Sequence, residues 1–404
     1  MNAFSGAPDF GAKRELAFGL PAWTYRSKEL LDLEYKRLIL TSWQFACHVN
    51  QLRAQGDYVV LDLLRDSVIV MRDRKNELRA FQNVCRHRGA RLLEGTGRCK
   101  ATIVCPYHGW SYGLDGRLAG VPSRESFPGL QKEDYGLNEV DLEVFHGLVF
   151  VRIAGDGPSV KEMFGPYSDL LEPYRIEDMV PVGDIYSETW AANWKVGVDN
   201  NLESYHVPIG HPGYHRMLDN DLMGFINEHG VAGAKSTLRA RPSSNWVERM
   251  YQELAPDAFM HLPEEVRSTW MFFTMPPNLG IDIYPDSIDV LQILPRTAET
   301  SQVHMPVFVR PGGGREERIL QYLNGRINMQ VTHEDRELSE RVQLGLSAHG
   351  YTPGPLSAIE SCILDFHDRI RKAIPATMLE EEPAAGTLAA VDAELQAESG
   401  TLAA

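Results

Sequence analysis

Two short pairs of metal-binding side chains stand out in the chain: Cys85 with His87 in the run CRHRG, and Cys105 with His108 in CPYHGW. Two thiolates and two imidazoles can hold a 2Fe-2S cluster in which the thiolates serve one iron and the imidazoles the other. The imidazoles raise the reduction potential above that of an all-cysteine cluster, so such a site passes single electrons at moderate potential. Zinc takes the same ligand types, but its usual knuckle pairs cysteine with cysteine two to four residues apart, a pattern that Cys-x-His fits poorly. Seventeen residues separate His87 from Cys105, and Gly89 and Gly109 flank the two pairs, so two loop tips could close on one cluster.

A second set of donors lies in Asp199-Asn-Asn-Leu-Glu203-Ser-Tyr-His206-Val-Pro-Ile-Gly-His211. Read as a helix, the segment puts Glu203 and His206 on one face. His211 follows at its exit, just before Pro212. Two imidazoles and one carboxylate on one face of an iron leave three positions open for water, dioxygen and the approach of a substrate. The carboxylate chosen is Asp335 in THEDRELSE, since no acid directly follows His211. Glu334 would point about a quarter-turn away, and Asp365 and Asp368 in LDFHDR are the rivals. His215 is a rival ligand to His211, Asp199 either orients a ligand imidazole or faces solvent, and His333 is assigned a structural role. Asn193-Trp194-Lys195 reads as packing ahead of the histidine segment.

From about Trp43 to Ile153 these runs, with Gly89, Pro106, Gly109 and Trp110, resemble the Rieske domain of non-haem iron oxygenases. The spacing of Glu203, His206 and His211 resembles the motif of that family's catalytic domain, with Glu where many members have Asp. The resemblance covers residues 20 to 373 and implies the catalytic (alpha) subunit of an aromatic-ring-hydroxylating oxygenase. It implies a Rieske cluster on Cys85, His87, Cys105 and His108, and a mononuclear Fe(II) on His206, His211 and Asp335. Electrons would come from NAD(P)H through a flavin reductase, with or without a ferredoxin, and dioxygen would be the cosubstrate. A small aromatic or amine molecule would be hydroxylated or oxidatively demethylated. Ring cis-dihydroxylation is the alternative; a Rieske electron carrier is a distant one, which a large second domain argues against. The resemblance also implies a homotrimer in which Glu203 bridges the cluster of one subunit, through its His108, to the neighbour's iron. The longer Glu203 is closer to a subgroup acting on quaternary amines, which shifts weight toward demethylation or monooxygenation.

The elements that must position these residues form an α+β chain of two domains, as 404 residues suggest. Residues 1–42 read as an entry segment with one helix, SKELLDLEYKRLIL. Residues 43–155 carry short β runs such as DYVVLDLL, SVIVMRD and HGLVFVRI between turn residues, the pattern of an all-β Rieske domain. Residues 160–374 read as a helix-grip-like catalytic domain: SVKEMFGPYSDLLEPYRI as a helix, antiparallel strands over 268–310, then a long amphipathic helix. Residues 375–404, rich in Ala and Glu, read as an acidic tail or a loosely packed helix. The substrate pocket is expected around Trp270, Phe272, Phe273, Met275, Tyr284 and Leu291 and the segment from Met217 to Ile226.

A net charge of -15 argues against nucleic acid as a partner. Around the first motif the sign reverses, with Arg72, Arg74, Lys75, Arg79, Arg86, Arg88, Arg91, Arg98 and Lys100 facing few acids, a patch suited to an acidic electron donor. Cys47, Cys99 and Cys362 are quiet thiols outside any disulfide pattern. With no leader-like N-terminus and no run long enough to span a bilayer, a cytoplasmic location is expected. No G-x-G-x-x-G follows a strand, so the electrons must be supplied by another polypeptide.

Overall fold

The computed structural model of the chain describes residues 16–219 and 225–402, and it divides into two compact units. One comprises Leu40–Glu162 and Arg175–Pro181; the other comprises the chain up to Ile39, Met163–Tyr174, and the chain from Val182 onward.

The first unit is all β apart from short turns of helix. Its centre is the strand Ser67–Arg72, whose Val68, Ile69, Val70 and Met71 are all fully buried. Such a continuous apolar run suits a strand covered on both faces. It pairs antiparallel with Asp57–Asp62 and Leu78–Gln82, and Thr96–Arg98 completes a four-stranded sheet. A three-stranded sheet joins Thr102–Val104, Ser111–Gly113 and Leu118–Gly120, and another joins Asp141–Phe145, Leu148–Arg152 and Gln44–His48. Both cysteine-histidine motifs fall in loops between these strands.

The second unit is built on a seven-stranded sheet. Its order is Val180–Trp190, Thr300–Val309, Ser287–Thr297, Leu279–Ile283, Thr269–Met275, Ala232–Thr237 and Phe225–Ile226. Helix Arg315–Leu346 runs across it: Asn324 donates to Asp286 at 2.8 Å, and Thr332 reaches Met305. Its buried stripe recurs every three or four residues through Leu320, Asn324, Asn328, Thr332, Ser339 and Gln343, and Asp335 lies on that same face. Helix Trp194–Asn201 is anchored from within. Asn193 caps it, and Lys195, fully buried, meets Glu34 at 2.6 Å, Thr24 O at 3.0 Å and Asn193 Oδ1 at 3.0 Å. A buried ammonium with three acceptors, one of them charged, is satisfied where a lone one would not be.

Two sequence expectations change. The run SVKEMFGPYSDLLEPYRI is not one helix but the pieces Val160–Phe164, Gly165–Tyr167, Ser168–Leu171 and Glu172–Tyr174, interrupted where Gly165 takes a positive φ and where Pro173 withholds an N–H. The C-terminal segment is not a loose tail. Helix Leu388–Leu402 buries Leu388 and Asp392, and Asp392 pairs with Arg37 and accepts from Ala376 N–H. No helix among the described residues is long and apolar enough to cross a membrane.

Candidate metal centres

The two loops of the first unit repeat one backbone pattern. In one, Cys85 N–H donates to Ala90 O and Gly89 N–H to Cys85 O; in the other, Cys105 N–H donates to Trp110 O and Gly109 N–H to Cys105 O. Gly89 and Gly109 have the same φ of 72°, a left-handed turn that an L side chain resists. Asn83 braces the first loop, its side-chain oxygen accepting from Leu92 and Leu93 N–H at 3.0 Å each. Both thiols are buried and unbridged, and Tyr112 Oη lies 3.3 Å from Cys85 Sγ. Burial first, then the two cysteines, push the Tyr112 phenol up, so its proton stays on to meet a thiolate. The His87 and His108 rings approach to 4.7 Å between centroids. His87 stacks flat on Trp110 at 4.8 Å, and its Nδ1 is buried with no hydrogen-bond partner among the described residues. His108 is exposed beside Tyr107. Two buried thiols, two converging imidazoles and an orphaned ring nitrogen fit the mixed-ligand cluster.

In the second unit, His206, His211 and Asp335 place three donor atoms within 4.8 Å of one another. His206 Nε2 lies 3.0 Å from His211 Nε2, and Asp335 Oδ1 lies 2.8 Å from His211 Nε2 and 3.6 Å from His206 Nε2. Two metal bonds of about 2.1 Å at right angles would span about 3.0 Å, so the donor set fits one cation. The other nitrogen of each ring is engaged: His206 Nδ1 donates to Glu203 at 2.5 Å and His211 Nδ1 to Glu334 at 2.9 Å. A carboxylate on Nδ1 fixes the tautomer and leaves Nε2 for metal. Burial alone would lower His206, yet Asp335 and Glu203 outweigh it and hold the ring up at about 9. Asp335, despite its burial, is held below the usual carboxylate range by the two imidazoles.

The route to this geometry differs from the sequence expectation. Helix Trp194–Asn201 ends before Glu203, which meets His206 across a turn, its carboxylate also accepting from the N–H groups of Tyr205 and His206. His206 precedes the short helix Val207–Gly210, and His211 sits between it and Pro212–Met217. Glu334, set aside on its helical phase, reaches His211. Asp199 neither orients a ligand nor faces solvent alone; it accepts from Tyr25 Oη at 2.8 Å and pairs with His367 at 2.9 Å. Asp365 and Asp368 pair with Arg369 and Arg371, and His215 stays outside the donor group. His333 packs near Tyr186.

A cavity of about 150 Å³ opens at this triad. Phe272, Tyr284 and Leu291 line it as expected, together with Tyr214, Asp282, Asp289 and Cys362. Trp270, Phe273 and Met275 do not; they are buried in the core, Trp270 edge-on to Tyr284 at 4.6 Å. Part of the Met217 to Ile226 segment, residues 220–224, lies outside the described residues.

Comparison with known proteins decides between readings of these two centres. Residues 42–138 match the Rieske [2Fe-2S] domain, and residues 176–376 match the ring hydroxylating alpha subunit (catalytic domain). The chain belongs to the Rieske non-haem iron oxygenases. It is similar to the carnitine monooxygenase oxygenase subunit of Acinetobacter pittii, at 28% identity over 87% of this chain and 91% of that one. It also matches the glycine betaine monooxygenase oxygenase subunit of Pseudomonas aeruginosa, at 33% identity over 50% and 47%. Among solved structures, the quaternary ammonium Rieske monooxygenase CntA superposes with a TM-score of 0.75 at 23% identity, covering 89% of this chain and 96% of that one. Naphthalene 1,2-dioxygenase from Rhodococcus sp. superposes with a TM-score of 0.72 at 22% identity, covering 90% and 95%. This oxygenase therefore carries a Rieske cluster domain and a mononuclear iron domain, with dioxygen as cosubstrate and NAD(P)H electrons delivered by a separate reductase.

Proposed function

We propose that the cavity at His206, His211 and Asp335 is where this oxygenase hydroxylates or oxidatively demethylates a small amine or aromatic molecule, those three residues holding the mononuclear iron and Cys85, His87, Cys105 and His108 the cluster. The observation that carries it is the convergence of two Nε2 atoms and one carboxylate oxygen at the wall of a cavity that aromatic and apolar side chains share with acids and amides. When bound, the iron supplies reductive activation of dioxygen and the cluster supplies single electrons. The protein's own part is orientation. Glu203 and Glu334 hold the Nδ1 protons of the two histidines, so both rings turn Nε2 inward. Phe272, Tyr214 and Leu291 give the space beside them an apolar wall.

The relatives' names, carnitine and glycine betaine monooxygenase oxygenase subunits, favour an amine substrate and monooxygenation over ring dihydroxylation. Glu203 lines this cavity and also a second one of about 520 Å³, which suits the bridging role between subunits of a homotrimer. A ferredoxin or flavin reductase would meet the basic face near the cluster loops. Arg91 and Arg98 there are tied to Asp62 and Asp57, whereas Arg88 lies 5.2 Å over the Tyr107 ring beside His108.

Iron and acid-labile sulfide analysis of anaerobically purified protein, with turnover assays using a supplied reductase, tests the reading. Three irons and two sulfides per chain, with oxygen-dependent product formation, is the expected result. Zinc without sulfide, or turnover that ignores oxygen, would overturn it.

A further inference from the structure

The wall of the same cavity holds a charge arrangement that the oxygenase chemistry does not use. Strands Leu279–Ile283 and Ser287–Thr297 pair antiparallel with Asp282 directly opposite Asp289. Side chains so placed sit about 5 Å apart at Cβ, and like charges there repel. Both aspartates line the cavity, and Asp289 is only 2% exposed. No arginine or lysine is among the described residues lining the cavity.

The hydrogen-bond account is incomplete in a telling way. Asp289 Oδ1 is buried with no partner among the described residues. Among the described residues Asp282 Oδ2 has the Tyr284 hydroxyl at 3.5 Å, and Tyr284 also hydrogen-bonds the Asp289 carboxyl. A buried acceptor left unmade is costly, and a buried pair of like carboxyls without a counter-charge is more so. Tyr284 and Phe272 lie 6.4 Å apart between centroids, Phe272 and Tyr214 6.4 Å, and Tyr214 and His211 6.0 Å, so a short run of rings joins the aspartates to the donor triad. Burial, then the neighbouring carboxylates, pushes Asp282 well up; burial likewise lifts Asp289 to about 7. Without a cationic ligand the pair therefore retains a proton near neutrality.

We propose that the cavity selects an organic cation that carries an N–H bond, a protonated amine rather than a quaternary ammonium, its N–H donating to the facing Asp282–Asp289 pair while the carbon to be oxidised lies along the aromatic wall toward His206 and His211. This rests on the cavity being the oxygenation site. A quaternary ammonium offers the carboxyl pair only C–H groups. A betaine adds a carboxylate, which would meet this acidic pair with no arginine or lysine among the described lining residues. A site built to accept hydrogen bonds discriminates strongly against an analogue that cannot donate them.

The test is calorimetric binding to the intact, metal-loaded protein without reductant, so that no turnover occurs. The probes are benzyldimethylamine, protonated at pH 7.5, the quaternary ion benzyltrimethylammonium, and glycine betaine. Benzyldimethylamine is expected to bind at least tenfold more tightly than the quaternary ion, with glycine betaine weaker still. Its binding should also release protons, seen as a heat that varies with the buffer's ionisation enthalpy. Asp289→Asn and, separately, Asp282→Asn should erase the preference while iron and sulfide contents stay at the wild-type level. Equal or tighter binding of the quaternary ion, no binding of benzyldimethylamine at millimolar concentration, or an unchanged preference in both variants would overturn the proposal. Failure of the oxygenase reading would appear instead in the metal content and in oxygen dependence, whatever the binding order of the three probes.

Discussion

The cluster loops and the His206–His211–Asp335 triad bring donor side chains together by different means. In the first unit the backbone does the work: two loops with the same hydrogen bonds and the same left-handed glycine present Cys and His at fixed offsets, and neither Gly89 nor Gly109 belongs to a helix or strand. In the second unit the backbone brings His206, His211 and Asp335 only into the neighbourhood, from turns and a helix far apart in sequence. Side-chain carboxylates then set each ring. A site held by outer carboxylates can be tuned through them.

The largest effects should come from removing a ligand on either side. Cys85→Ala is expected to abolish the visible absorption and two of three irons. His206→Ala should keep the absorption and both sulfides, lose the third iron and reduce product formation to background. Metal analysis of the two variants side by side checks this, and loss of all three irons in both would dissolve the contrast between the units.

Next in size is Glu334→Gln, which removes a charge from the Nδ1 side of His211 without touching a donor atom. Outer partners of this kind are worth about 10–100-fold in metal affinity. Iron titration of the apo-mononuclear protein should show a drop of that order with an unchanged cluster spectrum. Smaller again are the glycines. Alanine at a left-handed position costs about 1–2 kcal/mol. At Gly89 a Cβ would meet nothing, whereas at Gly109 it would lie 3.3 Å from Pro122 Cγ. Unfolding followed through cluster absorbance should therefore find Gly109→Ala the more destabilised.

The same contrast explains what the sequence could disclose. The proposed cluster residues were legible because the members of each Cys/His pair are two or three residues apart and a glycine marks each turn. His206 and His211 were legible for the same reason, and Asp335 through its helix and the family resemblance. What was not legible depends on distant packing. Glu334 reaches His211 because the Val207–Met217 stretch approaches the long helix from one side, which no helical wheel encodes. Asp199 finds His367 across 168 residues. The helix read through Glu203 stops at Asn201, since the acid's own hydrogen bonds to Tyr205 and His206 N–H favour a turn. The aspartates facing each other in GIDIYP and SIDVLQ did leave a signal, an acid at an otherwise buried apolar position of a strand, but only the register shows that they are opposite. The C-terminal helix hid its role in one buried residue, Asp392, paired with Arg37.

Acid should divide the two units most subtly. His48, fully buried in the first unit, accepts from Asn50 N–H at Nδ1, 3.1 Å, and donates from Nε2 to Ile176 O, 2.9 Å. The neutral ring thus uses both nitrogens, and burial lowers its affinity for a second proton. The unfolded chain takes that proton near the ordinary histidine value of about 6.5. Below it the unfolded state binds more protons than the folded one, so the first unit loses stability as pH falls. Asp289 acts in the opposite sense. With its carboxyl lifted by burial to about 7, the folded second unit holds a proton that the unfolded chain releases above about 4. That contribution is present in acid and lost as pH rises through 7. Hydrogen exchange by mass spectrometry between pH 7.5 and 5.5, corrected for intrinsic rates, should show protection falling in first-unit peptides by on the order of 1 kcal/mol for each unit by which His48 is lowered. Peptides of strand Ser287–Thr297 should hold or gain protection over the same range. His48→Gln is expected to flatten the first trend and Asp289→Asn the second, each leaving the other in place; parallel loss in both units would show that neither buried group governs the response to acid.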